Sequence, residues 1–200
     1  MAKTLAIACL AFIITGNVYA SGDPAAGKTK TAVCSACHGN GGISTNPIWP
    51  NLAGQNAAYI TKELHDFKAK RRTNPQMSPM AMTLSNTDID DVAAYYSSLD
   101  PAVGKASPTD LDAGQTLYRA GNPKTGVVAC MACHGPDGAG NPAAKYPALS
   151  GQHATYVEST LKAFRAATRA NDDKGIMRTV TNRMTDKEIK DVANYIQGLH

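Results

Sequence analysis

Two short motifs of cysteine and histidine stand out in the sequence, CSACHG from residue 34 and CMACHG from residue 130. Two cysteines one helical turn apart can each form a thioether bond with one of the two vinyl groups on a porphyrin edge. The histidine that follows can then bind the iron, which is why this pattern is typical of c-type haem attachment. The sequence therefore predicts two covalently bound haem c groups. The predicted attachment sites are Cys34, Cys37, Cys130 and Cys133, and the predicted proximal iron ligands are His38 and His134.

Four cysteines also allow three other interpretations. One zinc ion could be bound by all four thiolates, but that leaves the repeated histidine unexplained. A redox dithiol of the thioredoxin kind requires a strand–helix–strand setting, which the pattern lacks. Disulfide bonds are sterically poor between cysteines three positions apart on a helix. Covalent haem is favoured because it uses every residue of both motifs.

The second axial ligand of each iron can be sought by comparing the two halves of the chain, because a shared mechanism requires matching positions. Met77 lies eight residues before Ser85, which starts the last helical pattern of the first half, and Met177 lies eight residues before its counterpart Thr185. This pairing predicts Met77 and Met177 as the distal iron ligands. The unpaired methionines are interpreted as packing or loop residues: Met80 (opposite Val180), Met82 (opposite Asn182) and Met184 (opposite Leu84).

Histidine–methionine ligation predicts a particular chemistry. Methionine favours the ferrous ion relative to a second imidazole and so raises the reduction potential. An iron with both axial positions filled does not readily bind peroxide or oxygen, so the expected role is one-electron exchange without catalysis. His65, His153 and His200 have no matching histidine in the other half, and they are interpreted as surface or helix-face residues.

The elements that position these residues are repeated along the chain. The segment WPNLAGQNAAYI from Trp49 returns as YPALSGQHATYV from Tyr146, displaced by 97 positions, with the order of all repeated segments preserved. A connector rich in Pro, Gly and Ser separates the two copies. The predicted domains are 21–100 and 111–200, joined by a linker over 101–110.

Each half has the pattern of an all-α domain. Apolar residues recur at i, i+4 and i+7, as on one face of a helix, and no segment shows sustained period-two alternation. The predicted apolar stripes are Ile60, Leu64 and Phe67 with Val157, Leu161 and Phe164, and then Ile89, Val92, Tyr95 and Leu99 with Ile189, Val192, Tyr195 and Leu199. The predicted helix starts are Asp23–Pro24 and the capping boxes Ser85–Asp88 and Thr185–Glu188.

The first twenty residues have the layout of a secretory signal peptide. Lys3 precedes the apolar run LAIACLAFII, and NVYA ends in a small residue, so cleavage is predicted after Ala20. The run is too short to span a bilayer, and Cys9 lacks the leucine that a lipidation site would require at Ala6. The signal peptide 1–20 predicts a periplasmic protein.

The composition restricts the partners. The full chain has a formal net charge of +4 and no long block of like charge, so nucleic acid is not expected as a partner. Aromatic residues make up only 6% of the chain, which is few for two cores, and an apolar cofactor in each half would complete them.

Each half of the chain resembles the class I cytochrome c family. Residues 21–200 together resemble the dihaem cytochrome c4 family. The shared features are the two haem motifs, PNLAGQ and PALSGQ, the two methionine loops and the terminal YIQGLH. The resemblance implies two tandem class I cytochrome c domains, each wrapped around one haem, with haem propionates facing one another. It also implies that the carbonyls of Pro50 and Pro147 accept hydrogen bonds from the proximal histidines. The repeated Gln55, Tyr59, Gln152 and Tyr156 are expected to line either the haem or the domain interface.

The function implied by the resemblance is electron transfer in the periplasm. The expected protein is a monomeric carrier that passes electrons from a quinol-oxidising complex to a terminal oxidase and associates peripherally with such membrane complexes. Two alternatives stay open. One is a haem subunit of a flavocytochrome-type sulfide dehydrogenase, and the other is a dihaem oxidoreductase such as a peroxidase or a thiosulfate dehydrogenase.

Overall fold

The computed structural model describes residues 22–200, so the predicted signal peptide and its cleavage after Ala20 lie outside the described residues. Within this range the chain forms ten α-helices and two short 3-10 turns. The helices of the first half are α1 (Pro24–Lys30), α2 (Ala32–His38), α3 (Ala57–Lys68), α4 (Met77–Met82) and α5 (Asn86–Ser97). Those of the second half are α6 (Leu111–Ala120), α7 (Met131–His134), α8 (Ala154–Arg165), α9 (Ile176–Thr181) and α10 (Asp186–Gln197). The 3-10 turns span Asn40–Gly42 and Asp173–Gly175.

The two halves repeat one packing scheme. In the first half α5 packs against α1 and α3, and α3 also contacts α4. In the second half α10 packs in the same way against α6 and α8, and α8 contacts α9. Extended pairing in the described part is limited to two isolated bridges, Asn122–Val127 and Asn141–Tyr146. The predicted all-α architecture of two repeated units is therefore confirmed.

The predicted helix starts are also found. The carboxylate of Asp23 accepts a hydrogen bond from Ala25 N–H, and Pro24 occupies the first helical position of α1. Both capping boxes are complete, with Ser85 and Asp88 at the start of α5 and Thr185 and Glu188 at the start of α10. These side chains satisfy backbone donors that a helix N-terminus otherwise leaves unpaired.

The apolar stripes form one small core in each half. The first core includes Ile60, Phe67 and Ile89, and the second includes Val157, Ile189 and Val192, all of which are buried. None of the helices described between residues 22 and 200 has both the length and the apolar character needed to cross a membrane. The helices of the two halves surround one cavity, which is lined by the motif cysteines and histidines described below.

A glycine allows the first and last helices of each half to cross closely. A Cβ atom at Gly27 would lie 2.0 Å from the carbonyl oxygen of Asp91, and one at Gly114 would lie 2.2 Å from that of Asp191. Atoms cannot approach so closely, so any larger residue must separate the two helices. The α1–α5 and α6–α10 crossings therefore depend on the absence of a side chain at these two positions.

We expect Gly114→Ala to lower the free energy of unfolding of the second half by about 2 kcal/mol, since overpacking typically costs about 1–3 kcal/mol. Urea denaturation followed by circular dichroism measures the change. Gln115→Ala, at the next and exposed position of α6, is the matched control and should leave the midpoint unchanged. Equal midpoints for Gly114→Ala and the native protein would contradict the close crossing.

The connector between the halves is held against the second half. Ser107 N–H donates to the side-chain oxygen of Asn194 at 2.8 Å, and the Asn194 amide donates back to Ser107 O at 2.9 Å. The amide of Gln197 donates to Lys105 O at 2.8 Å. Ala102 is buried. The connector therefore follows a fixed path along α10.

Candidate haem sites and the interface between the halves

The two cysteine–histidine motifs lie on corresponding helices. Cys34, Cys37 and His38 are in α2, which ends at His38. Cys133 and His134 are in α7, and Cys130 occupies its N-cap position. The glycine after each histidine has φ of 79° or 81°, a backbone conformation that glycine adopts without steric cost. Each motif therefore presents its cysteines on one helical turn and then turns sharply after its histidine.

The two histidines are held in one orientation by backbone carbonyls. His38 Nδ1 lies 2.9 Å from Pro50 O, and His134 Nδ1 lies 3.0 Å from Pro147 O. Since a carbonyl only accepts, Nδ1 must carry the proton, and the lone pair of the neutral ring is on Nε2. Burial lowers the pKa of both histidines, against the opposing effect of the proline carbonyls. Both rings are therefore neutral and have a nitrogen available for a metal.

A single cavity of about 1420 Å³ runs through both halves. All four motif cysteines and both histidines line it, together with apolar residues of both cores. Its volume exceeds the roughly 300–1,000 Å³ of a typical single-ligand pocket, as expected for two large flat groups. Burial raises the pKa of the Cys34 thiol and raises that of Cys130 to about 11. A raised thiol pKa disfavours the thiolate form that direct metal coordination requires.

The structure also separates the methionines. Met77 begins α4, Met177 is the second residue of α9, and both are half-buried in the cavity wall. Met80 lines the cavity as well but is 43% exposed, whereas Met82 is 56% exposed and is not part of the wall. Met184 also lines the cavity, but it is only 5% exposed and packs in the second core. Met77 and Met177 are thus the pair of thioethers at corresponding, half-buried places in the wall.

These residues fit haem c. The cavity supplies apolar walls, two pairs of thiols, two neutral imidazoles with a free Nε2, and two thioether sulfur atoms. That is the donor set of two haem groups with histidine and methionine as axial ligands. No other ligand type is needed to complete either site.

Side-chain amides join the two halves in a reciprocal pattern. Gln55 of the first half accepts from Ala148 N–H at 2.8 Å and donates to Ala148 O at 2.9 Å. Gln152 of the second half accepts from Asn51 N–H at 2.8 Å and donates to Asn51 O at 3.0 Å. Gln55 and Gln152, like Asn51 and Ala148, are related by the 97-residue displacement. We call this arrangement the glutamine clasp.

Arginine and tyrosine form a second reciprocal pair beside the cavity. Arg72 donates to Tyr156 Oη at 3.2 Å, and Arg169 donates to Tyr59 Oη at 2.9 Å. Each guanidinium also lies over a phenylalanine of its own half, at 4.6 Å from the Phe67 ring centre and 4.5 Å from that of Phe164. The sequence left the role of Tyr59 and Tyr156 open, and the structure places them at both the cavity and the interface.

The two arginines were missed by the sequence analysis, although a signal was present. Arg72 and Arg169 are displaced by 97 positions, like the repeated segments around them, but neither belongs to an apolar stripe or a motif. His153 was interpreted as a surface or helix-face residue. It is half-buried, and its Nε2 donates to the carbonyl of Ser44 in the other half at 2.8 Å.

One part of the interface breaks the symmetry. Glu63 is 6% exposed and contacts Arg72 at 2.6 Å and Arg169 at 3.0 Å. Asn171 of the second half donates to both Glu63 oxygens, at 2.9 and 3.1 Å. Burial opposes ionisation of Glu63, but the nearby arginines outweigh it and hold its pKa below the ordinary value of 4.5. The position corresponding to Glu63 in the second half is Thr160, so this buried carboxylate belongs to the first half alone.

Comparison with known proteins agrees with this geometry. The family model for cytochrome c matches residues 24–100 and again residues 111–200. Cytochrome c4 of Thiocapsa roseopersicina is 53% identical over 180 residues, covering 89% of this chain and 93% of that protein. A thiosulfate dehydrogenase electron acceptor of Thiomonas intermedia is 38% identical, covering 98% of this chain and 90% of that protein.

A solved structure shows the same architecture. The crystal structure of reduced recombinant cytochrome c4 from Pseudomonas stutzeri superimposes with a TM-score of 0.87 at 43% identity, covering 90% of this chain and all of that one. The predicted cofactors, two covalently bound haem c groups, are confirmed by these matches together with the two attachment motifs. The chain belongs to the cytochrome c family, as a dihaem electron-transfer protein of the cytochrome c4 type.

Proposed function

We propose that this protein is a periplasmic carrier that takes single electrons from a quinol-oxidising complex and delivers them to a terminal oxidase. The observation that supports the proposal best is the matched environment of the two sites. In each half a neutral histidine and a half-buried methionine line the same cavity. In this proposal His38 and Met77 bind one iron, and His134 and Met177 bind the other.

Bound haem supplies reversible one-electron exchange at its iron. The chain's own residues control how that iron is held. The carbonyls of Pro50 and Pro147 fix the tautomer and orientation of the proximal rings, which strengthens these ligands. With haem bound, Met77 and Met177 would each supply the second protein ligand of an iron, which would leave no place for a substrate such as peroxide. A carrier rather than an enzyme follows from two closed sites.

The arginines of the interface have a separate role in this proposal. Arg72 and Arg169 line the cavity, and each is held by a tyrosine of the other half. A guanidinium binds carboxylates through charge-assisted hydrogen bonds, and haem carries two propionate carboxylates. We assign these two arginines to the propionate edges of the haem groups.

Stopped-flow kinetics with purified membrane complexes test the proposed pathway. Both haems should be reduced by a quinol-oxidising complex and then reoxidised by a terminal oxidase, each within catalytic turnover times of those complexes. Steady-state assays with peroxide or thiosulfate alone serve as the control and should show no turnover. Turnover of peroxide or thiosulfate would contradict the carrier function. So would the absence of electron exchange with the quinol-oxidising complex and with the terminal oxidase.

A different electron donor is a second candidate, and one observation favours it. A relative that this chain matches over almost its full length is named as a thiosulfate dehydrogenase electron acceptor. The same closed sites would serve a carrier that receives electrons from thiosulfate oxidation. Replacing the quinol-oxidising complex by a thiosulfate dehydrogenase in the stopped-flow experiment distinguishes the donors, since the physiological donor should reduce the protein faster.

A further inference from the structure

One peptide group in each half connects the proximal histidine to the opposite half. The carbonyl of Pro50 accepts from His38 Nδ1 at 2.9 Å. The N–H of that same peptide group belongs to Asn51, and it donates to the side-chain oxygen of Gln152 at 2.8 Å. A trans peptide is planar, with its C=O and N–H on opposite sides. The peptide therefore lies between the histidine of the first half and the glutamine of the second.

The second half contains the mirror arrangement. The carbonyl of Pro147 accepts from His134 Nδ1 at 3.0 Å. The N–H of the same peptide group belongs to Ala148 and donates to the side-chain oxygen of Gln55 at 2.8 Å. His134 is thus connected to a residue of the first half, just as His38 is connected to a residue of the second. Each connection consists of two hydrogen bonds and one peptide group.

Hydrogen bonds in such a series strengthen one another. When a peptide N–H donates to an acceptor, electron density shifts toward the carbonyl oxygen, which becomes a better acceptor by roughly 10–30% per bond. A stronger acceptor on Nδ1–H makes the imidazole a more basic ligand. Both glutamines and both histidines are buried, so water does not compete for these bonds.

We propose that Gln55 and Gln152 are positioning residues for the proximal histidine of the opposite half. Through the Pro147–Ala148 peptide, Gln55 increases the basicity of His134 and lowers the potential of the second haem. Through the Pro50–Asn51 peptide, Gln152 does the same for His38 and the first haem. The proposal rests on the axial role assigned to these histidines. It identifies the glutamine clasp as a device by which each half adjusts the other half's potential.

The crossed pattern distinguishes this role from simple support of the interface. Gln55 resides in the first half, next to Asn56, and its side-chain oxygen also accepts from Asn56 N–H at 2.9 Å. A purely structural glutamine would affect its own half or both halves together. A positioning glutamine should affect the haem of the other half alone.

Two matched variants, Gln55→Met and Gln152→Met, test the proposal in the intact haem-loaded protein. Redox titration is followed by NMR of the haem methyl resonances, which are assigned to each half beforehand from single variants of Met77 and Met177. We expect Gln55→Met to raise only the potential of the second haem, and Gln152→Met to raise only that of the first. In the reduced protein, solvent exchange of the Nδ1 proton should accelerate for His134 in the former and for His38 in the latter.

Two controls separate the peptide connection from the stability of the interface. Gln55→Glu retains an acceptor oxygen for Ala148 N–H, so the second potential should stay at or below its native value. Asn56→Ala removes interface bonds to Tyr146 O and Ala139 O but none to the Pro50–Asn51 or Pro147–Ala148 peptide, so both potentials should be unchanged. A shift confined to the variant's own half, equal shifts in both halves, or no shift would overturn the proposal. The proposed function fails on a separate result, the absence of electron exchange with the membrane complexes in the native protein.

Discussion

A Met177→His variant is expected to lose half of the long-wavelength absorption that marks methionine bound to ferric haem. Its second haem should also fall in potential by on the order of 0.2 V, within the roughly 0.8 V range that axial ligands span. The reason is that a second imidazole favours the ferric ion more than a thioether does. The first haem, bound in this proposal by Met77, should keep its potential. Spectroelectrochemical titration measures both effects in one sample.

Two comparisons make this experiment decisive. Met77→His should give the same half loss with the first haem affected instead. Met80→Leu, at a cavity-lining methionine without a counterpart in the second half, should leave the spectrum and both potentials unchanged. Loss of the methionine signal in Met80→Leu, or its full retention in Met177→His, would show that the pairing of the two halves misidentified the ligand.

Replacing Glu63 by glutamine is expected to lower the free energy of unfolding by about 3 kcal/mol, because removing one partner from a buried ion pair typically costs about 3–5 kcal/mol. Glu63 contacts Arg72 and Arg169 in a region where all three side chains are largely excluded from solvent. The amide keeps the shape of the side chain but leaves two guanidinium groups without their shared carboxylate. Urea denaturation of the haem-loaded protein at neutral pH measures the loss.

The pH dependence of the same variant identifies the cause. The pKa of Glu63 is held below its ordinary value of 4.5, so its contribution to stability is fully present above pH 4.5 and is lost as the pH falls through the folded-state pKa. The difference between Glu63→Gln and the native protein should therefore shrink on acidification. Glu158→Gln, which breaks a more exposed pair with Lys162 in the matching helix of the second half, should show no measurable loss at any pH. A pH-independent difference for Glu63→Gln would point to packing instead of charge.

The parts of the sites that could be predicted are those expressed in local sequence or in the repeat. The cysteines and histidines are adjacent in the chain, so their motif is visible without any knowledge of the fold. Met77 and Met177 lie far from those motifs, and only the comparison of the two halves ranked them above Met80 and Met184. The apolar stripes predicted the helices for the same reason, since helical periodicity is a property of short segments.

The interface could not be predicted in this way, because its partners are distant in sequence. Gln55 and Ala148 are 93 residues apart, and Tyr59 and Arg169 are 110 apart. Repetition marked Gln55 and Tyr59 as meaningful, but repetition cannot tell whether a residue faces its own half or the other. Only the arrangement of the two units in space decides that. The interface role of Glu63 was harder still to predict, because the corresponding position of the second half is Thr160 and the residue is therefore not repeated.

The reciprocal contacts of the interface have the form of an isologous dimer. Gln55 contacts the second half as Gln152 contacts the first. In the same way, Arg72 donates to a tyrosine of the second half and Arg169 donates to a tyrosine of the first. Two identical subunits related by a twofold axis would make these contacts. Covalent linkage through the connector keeps the two subunits together at a high effective concentration.

Joining the two halves in one polypeptide has a consequence that a dimer of identical subunits cannot have. In a homodimer every substitution appears twice, so a carboxylate at the twofold axis would meet its own copy and repel it. Within one polypeptide the two positions can differ, and a single buried carboxylate can serve both arginines, as Glu63 does while the corresponding position holds Thr160. Joining two subunits in one chain thus permits inequivalent electron sites in an otherwise symmetric frame.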